Sequence, residues 1–269
     1  MIDDGKLPDI VFKYRDWDND NHKRILTDNE IYYASPYECS EAHELTLEKD
    51  YSDITEGDIY NYMYTTAPEK GFTTPEQRHE IAKIMVKKTP FNDPRYRINI
   101  ETKFKQILNK RLSVFSVSEH RDNANLWNVF AKNETGFCVG LSPESMFHSG
   151  AIFGKAAKVK YYPANNPPKI KAALLKPFDD TVEETYELIY SLPDFFSDED
   201  EFRITKLDIP SRRIQITHDC YKQIILGSNI SDKSKSEIVE LTKRNFPECQ
   251  IYQAKYDYDA DMYSFGEVN

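Results

Sequence analysis

Glycine is scarce in this chain: only 9 of 269 residues. None of the nine forms a phosphate-cradling loop, a dinucleotide fingerprint or a Gly-x-Ser-x-Gly nucleophile turn, which argues against the glycine-loop nucleotide folds and the serine hydrolases. No apolar run is long enough to span a bilayer, and Met1-Ile2-Asp3-Asp4-Gly5 lacks a signal-peptide pattern, so the expectation is a cytoplasmic protein with no membrane partner. Paired cysteines are missing too. Cys39, Cys138, Cys220 and Cys249 are scattered, as reduced core thiols are, rather than spaced as a disulfide framework or a zinc site. Histidines are equally unpromising: Glu41-Ala42-His43-Glu44 and His79-Glu80 are fragments without the two-histidine helical spacing of a zinc hydrolase, and no metal is expected. Basic charge is in deficit, with a formal net charge of −10. That speaks against broad, sequence-independent binding to phosphate backbones but leaves room for a local basic pocket.

What is present is aromatic. With 18 Tyr and 15 Phe, a 39% apolar fraction still suffices to fold the chain and bury a core. No repeat, low-complexity linker or composition boundary divides it, so 1–269 reads as a single domain with its core over about 11–267.

The segment around Trp127 gives the fold a centre. Leu126, Val129 and Phe130 fall at helical spacing behind a cap at Asp122, Asn133 to Gly136 breaks the helix, and Phe137–Leu141 reads as a buried strand. Upstream, Val11–Arg15 is strand-like, 18–28 helical, and Ile31 to Pro36 a strand stopped by its proline. This puts Lys13 and Tyr14 on one strand and Tyr33 and Ser35 on the next. Residues 37–73 are acidic, tyrosine-rich and without clean periodicity, which suggests a helical excursion or lid within an insertion over 37–111. Thr74-Pro75-Glu76-Gln77 opens a helix to about Lys88, and a second helix is expected from about Tyr96 to Lys110. Leu112–Ser118 alternates as a strand. Further strands are expected at 157–162, 195–204, 211–217, 221–227, 249–256 and 261–267, with helices near 168–176, 181–191 and from Ser231 to Phe246. The fold class is α+β: a split or bent, mainly antiparallel sheet flanked by helices, with a helical insertion.

Three groups of residues carry candidate chemistry. Alternation through Phe195–Ile204 puts Glu199, Glu201 and Arg203 on one strand face, where paired carboxylates beside a guanidinium suit sugar hydroxyls; a solvated edge in an acid-rich chain reads the same way. Lys13-Tyr14-Arg15 offers a phosphate contact and an aromatic platform, or an ordinary charged edge. Trp127 is either core or a stacking surface.

The order of these pieces resembles the bacterial family known as domain of unknown function 2971. Its Lys-Tyr strand is matched by Lys13-Tyr14, its Ala-Ser-Pro strand end by Ala34-Ser35-Pro36, and its serine-bearing strand by Ser116. The Trp-x-x-Tyr-Ala helix and Gly-Phe-Cys-x-Gly strand are matched by Trp127 to Ala131 and Gly136 to Gly140, with Phe130 in place of the tyrosine. A late Glu-x-Glu-x-Arg element is matched by Glu199, Glu201 and Arg203, and a Leu-Gly strand end by Leu226-Gly227. The family's Asn-Asp-Pro turn appears as Ser40-Glu41-Ala42, and Phe195 or Phe196 stands where a tryptophan often precedes the acidic element.

That architecture is distantly similar to ADP-ribosyltransferases, and the similarity implies a bacterial effector, a toxin or phage-defence protein, with NAD as substrate. Lys13 and Tyr14 would contact the cofactor, Tyr33 or Ser35 would line the nicotinamide pocket, and Trp127 would bound it. Glu201 would be the catalytic carboxylate, Glu199 would orient an acceptor (protein or nucleic acid, an acidic chain favouring a small or protein one), and Arg203 would hold the cluster together. Two other functional classes remain open, beside an inert structural scaffold for which Glu201→Ala would cost little beyond local charge balance. One is a non-catalytic sensor of a nucleotide or a phage protein, with a partner from a defence or toxin–antitoxin operon. The other is a metal-dependent nuclease-like effector, which needs further acids near Glu201.

Overall fold

The short apolar runs assemble as an eight-stranded sheet. The computed structural model describes residues 7–39, 45–151, 154–172, 182–257 and 259–268. Across the sheet the strands run Met262–Glu267, Gln250–Asp257, Tyr221–Leu226, Phe137–Leu141, Val11–Arg15, Leu112–Ser118, Glu201–Leu207 and Lys155–Lys158. All neighbours are antiparallel except Tyr221–Leu226 with Gln250–Asp257, which are parallel and joined by the helix Asp232–Asn245. A parallel pair needs such a crossover. The fold is α+β.

Central strands are buried on both faces. Val11, Phe115, Val139, Phe202 and Ile224 belong to the main core, while Phe12, Tyr14, Cys138 and Ile225 pack on the other side around Trp127. The Trp127 helix spans Ala124–Val129 and is capped by Asn123, not Asp122, because the Asn123 side chain accepts from the Leu126 amide. Lys132, Asn133 and Glu134 then turn the chain with positive φ. Gly136 follows with the carbonyl oxygen of Arg15 only 2.1 Å from where a Cβ would stand, and Gly227 meets the Glu134 carbonyl at the same distance. Both glycines admit close backbone approach that no other residue permits.

Between the fifth and sixth strands of the order above lies the feature that makes the cleft. Val11–Arg15 pairs with Phe137–Leu141 at five positions but meets Leu112–Ser118 only at Phe12–Ser118. The next main-chain bridge, Ala34–Val114, comes from a different segment. Between these two bridges the sheet is open.

Several expectations need correction. Glu30–Tyr32 does not lie beside Val11–Arg15; it pairs with Arg213–Gln215 in a separate two-stranded sheet. The 157–162 strand is two strands, Lys155–Lys158 and Lys160–Tyr162, interrupted where the Val159 amide bonds the Glu201 carbonyl. The 195–204 strand begins only at Glu201; Asp194–Glu199 is a 3₁₀ turn that ends on Asp200 at φ 39°. Ile170–Lys171 is a strand rather than part of a helix, and the rest of 168–176 beyond residue 172, with the turn 40–42 and His43, lies outside the described residues. The insertion contains the helices Glu56–Thr66, Pro75–Lys88 and Pro94–Arg111, packed on one another through Ile59, Met63, Ala82 and Phe91. Among the described residues no helix is long and apolar enough to cross a membrane.

Candidate functional site

Where the sheet opens, a cavity of about 840 Å³ forms, and Lys13, Arg15, Ser116, Glu199, Glu201 and Arg203 all line it. The opening follows from strand alternation. Val114 gives both its amide and its carbonyl to Ala34, so two residues on, the main chain of Ser116 faces the same way, into the gap. No strand among the described residues takes it up. Instead the Lys13 ammonium donates to the Ser116 carbonyl and lies 5.4 Å from the centre of the Phe115 ring. The Ser116 hydroxyl is buried and has no hydrogen-bond partner among the described residues. A buried polar atom left so is costly and needs a reason.

On the opposite wall, Arg203 holds Glu201 through two parallel bonds, Nε to Oε1 at 2.8 Å and Nη2 to Oε2 at 2.9 Å. The third arm of the fork donates to the Ile189 carbonyl. Glu201 is 7% exposed and Arg203 2%, which excludes a solvated edge. The Glu201 amide donates to the Tyr161 hydroxyl at 2.9 Å, and burial, reinforced by the carboxylates of Glu201, Glu199 and Asp200, pushes that phenol up to about 12. Glu199 reaches the same cavity from the end of the 3₁₀ turn rather than along the strand, its carbonyl accepting from Ser118 Oγ at 2.9 Å.

The cations of the cleft divide into two kinds. Arg24 is tied to Glu30 through two bonds, and Arg213 lies 3.8 Å from the same carboxylate. Lys13 and Arg15 have no carboxylate within ion-pair distance among the described residues. Burial first, then the neighbouring Arg15, brings Lys13 down to about 7, with Glu201 and Glu199 pulling weakly the other way. Burial brings Arg15 down to about 10, so it stays charged at neutral pH. His22, also on the wall, is lowered to about 4 by burial and by Arg15, and its Nδ1 accepts from the Asp16 amide, so it is neutral. The outer rim is aromatic: Phe130 is 44% exposed, and Phe195 and Phe196 sit with ring centres 4.6 Å apart.

Of the residues singled out in the sequence, Lys13, Glu199, Glu201 and Arg203 therefore share one cleft. Tyr14 borders it, but its hydroxyl donates to the His120 carbonyl and its ring meets Trp127 edge-on at 5.1 Å. Trp127 is fully buried on the far face of the sheet, its indole N–H donating to the Arg121 carbonyl; it is core. Tyr33 is also core, packed on Phe115 and donating to the Ala151 carbonyl. Ser35 stands one residue outside the lining Ala34, its amide spent on Glu38. Sequence reasoning missed Arg15 as an unpaired cation, His22, and the orphaned Ser116 hydroxyl. It had no means of seeing that Ser116 falls where two strands part. Among the described residues of 37–111, only Glu38 and Cys39 touch the cavity. Among the described residues no group of three or more His, Cys, Asp or Glu is placed to hold a metal ion.

Compared with protein-family models, curated proteins and solved structures, the chain finds no match.

Proposed function

We propose that the cleft binds NAD and that the chain is an ADP-ribosyltransferase-like effector. The observation that carries this reading is the meeting, across a parted sheet, of two unpaired cations and two carboxylates: Lys13 and Arg15 face Glu199 and Glu201 over one cavity. A dinucleotide brings complementary groups in that order, a diphosphate for the cations and ribose hydroxyls for the carboxylates. The resemblance to domain of unknown function 2971 points the same way. In the reaction, Glu201 accepts a hydrogen bond from a ribose hydroxyl. Its two oxygens keep free lone pairs beside the Arg203 fork. The C1′–nitrogen bond breaks, nicotinamide leaves with the electron pair, and the positive charge growing on the ribose lies near fixed negative charge. An acceptor nucleophile then attacks C1′. Phe130 and the Phe195–Phe196 pair provide apolar surface for the rings at the mouth.

The test is nicotinamide release from NAD by the purified protein, beside Glu201→Gln and Glu199→Gln. Release abolished by Glu201→Gln is the expected result. Because Glu201 is half of a buried ion pair, a variant that breaks the pair costs about 3–5 kcal/mol, so melting temperatures are measured alongside. A second reading, binding without turnover, is favoured by how firmly Arg203 already holds Glu201. It predicts a ligand-induced rise in melting temperature with no nicotinamide released. Absence of release from the wild-type protein, even with cell lysate as a source of acceptors, rules out the transferase.

A further inference from the structure

The net charge of −10 conceals a strong segregation. Residues 67–111 carry eleven Lys and Arg against five Asp and Glu, a net of +6, which leaves 24 basic against 40 acidic residues elsewhere. Within this unit the basic side chains are ordered. On the 18-residue helix Pro94–Arg111, Arg95, Asn99, Lys103, Gln106 and Lys110 recur at unbroken three- and four-residue spacing, so they share one face. Arg95, Asn99, Lys103, Gln106 and Lys110 are all exposed, and no acid interrupts the row. The helix's one internal acid, Glu101, turns the other way and accepts from the Tyr51 hydroxyl. Lys70, exposed at the end of the Ala67–Lys70 turn, adds a fourth cation from a second element: it is close enough to Lys103 to be lowered by it, after burial, with Glu69 opposing. None of Lys70, Arg95, Lys103 and Lys110 makes an ion pair among the described residues.

Helix stability does not account for this row. Cations belong in the last turn of a helix, as Lys110 and Arg111 are, but Arg95 stands in the first turn, where the dipole is unfavourable to it. Lys103 is mid-helix and held beside a like charge. An uncompensated positive stripe in an acidic molecule is complementary to a polyanion. Its length, the fifteen residue steps from Arg95 to Lys110, is about 22 Å at the helical rise, which spans about six phosphates along one strand of a duplex. The alternation of cations with the amides of Asn99 and Gln106 suits phosphate and sugar oxygens.

We infer that the helical insertion is a nucleic-acid docking surface, with Arg95, Lys103, Lys110 and Lys70 contacting the phosphate backbone. The inference is independent of NAD chemistry; if the cleft is a transferase, it names nucleic acid as the class of acceptor.

The experiment is fluorescence anisotropy with a labelled single-stranded RNA and a labelled DNA duplex, titrated with full-length protein from about 50 to 200 mM salt. Four phosphate contacts predict a log–log salt slope of about −3 for the single strand and about −3.6 for the duplex. Arg95→Gln/Lys103→Gln/Lys110→Gln should weaken binding at least tenfold and flatten the slope to about −1, with an unchanged circular dichroism spectrum and melting temperature. Should the triple variant not fold, Lys103→Gln alone should reduce the slope by about 0.7–0.9. Absence of binding at the lowest salt, binding unchanged by the substitutions, or binding to anionic phospholipid vesicles but to neither oligonucleotide would overturn the inference. No arm contains NAD, so failure here and failure of nicotinamide release are separate results.

Discussion

Lys13 is the residue on which the cleft's behaviour turns. Its ammonium is held at the Ser116 carbonyl, with its pKa near 7, while Arg15 beside it remains charged to about 10. Below about pH 7 the cleft therefore presents two cations, and above it one. Affinity for an anionic ligand such as NAD should fall by up to about tenfold per pH unit above 7. The break will lie somewhat higher in the complex, because a bound anion raises the pKa it depends on. Calorimetric titration from about pH 6 to 9 checks this. Lys13→Met should bind weakly at every pH with the dependence gone, whereas a pH-independent affinity in the wild-type protein would refute the assignment. The sign for stability is the opposite of that for binding. Between the folded value near 7 and the ordinary 10.5, the unfolded chain holds more protons on this lysine, so its contribution to stability rises with pH across that window.

At the scale of elements, the parts most readable in the sequence were those with local causes. Thr74 and Gln77 form the reciprocal cap their spacing implies, and Pro75–Lys88, Leu112–Ser118 and Phe137–Leu141 begin and end where pattern and punctuation put them. Phe195 to Glu199 misled because alternation of acids and aromatics looks the same in a strand and in a tight 3₁₀ turn; only the left-handed Asp200 tells them apart. The reasons for Gly136 and Gly227 were likewise hidden, since each is required by a carbonyl distant in sequence. Gly136→Ala would drive a methyl group into the Arg15 carbonyl and should cost at least about 3 kcal/mol. Gly266→Ala, on the edge strand with nothing within 4 Å, should be near neutral. Urea denaturation of the two variants makes the comparison, and similar midpoints would mean the turn relaxes freely.

Over the whole molecule, averages were the poorest guide. The acidic total suggested a small or protein acceptor, while the fold collects the positive charge on one helical unit. That unit is also lightly anchored: Ala82 is the sole buried residue of Pro75–Lys88, against five of five in Phe137–Leu141. Amides of Pro75–Lys88 should accordingly exchange with deuterium at least about tenfold faster than those of Phe137–Leu141 in native-state measurements; equal protection would show that the insertion and sheet open together. The Glu201–Arg203 pair and Lys13 were legible as types and spacing, yet their convergence depends on a gap between strands whose partners are about a hundred residues apart. The gap has one more effect. It leaves strand edges inside a folded protein, and free edges invite any extended peptide to add itself as another strand. A lysine directed at such an edge makes that addition unfavourable. Lys13, seated on the Ser116 carbonyl, thus keeps the opening reserved for something smaller than a polypeptide backbone.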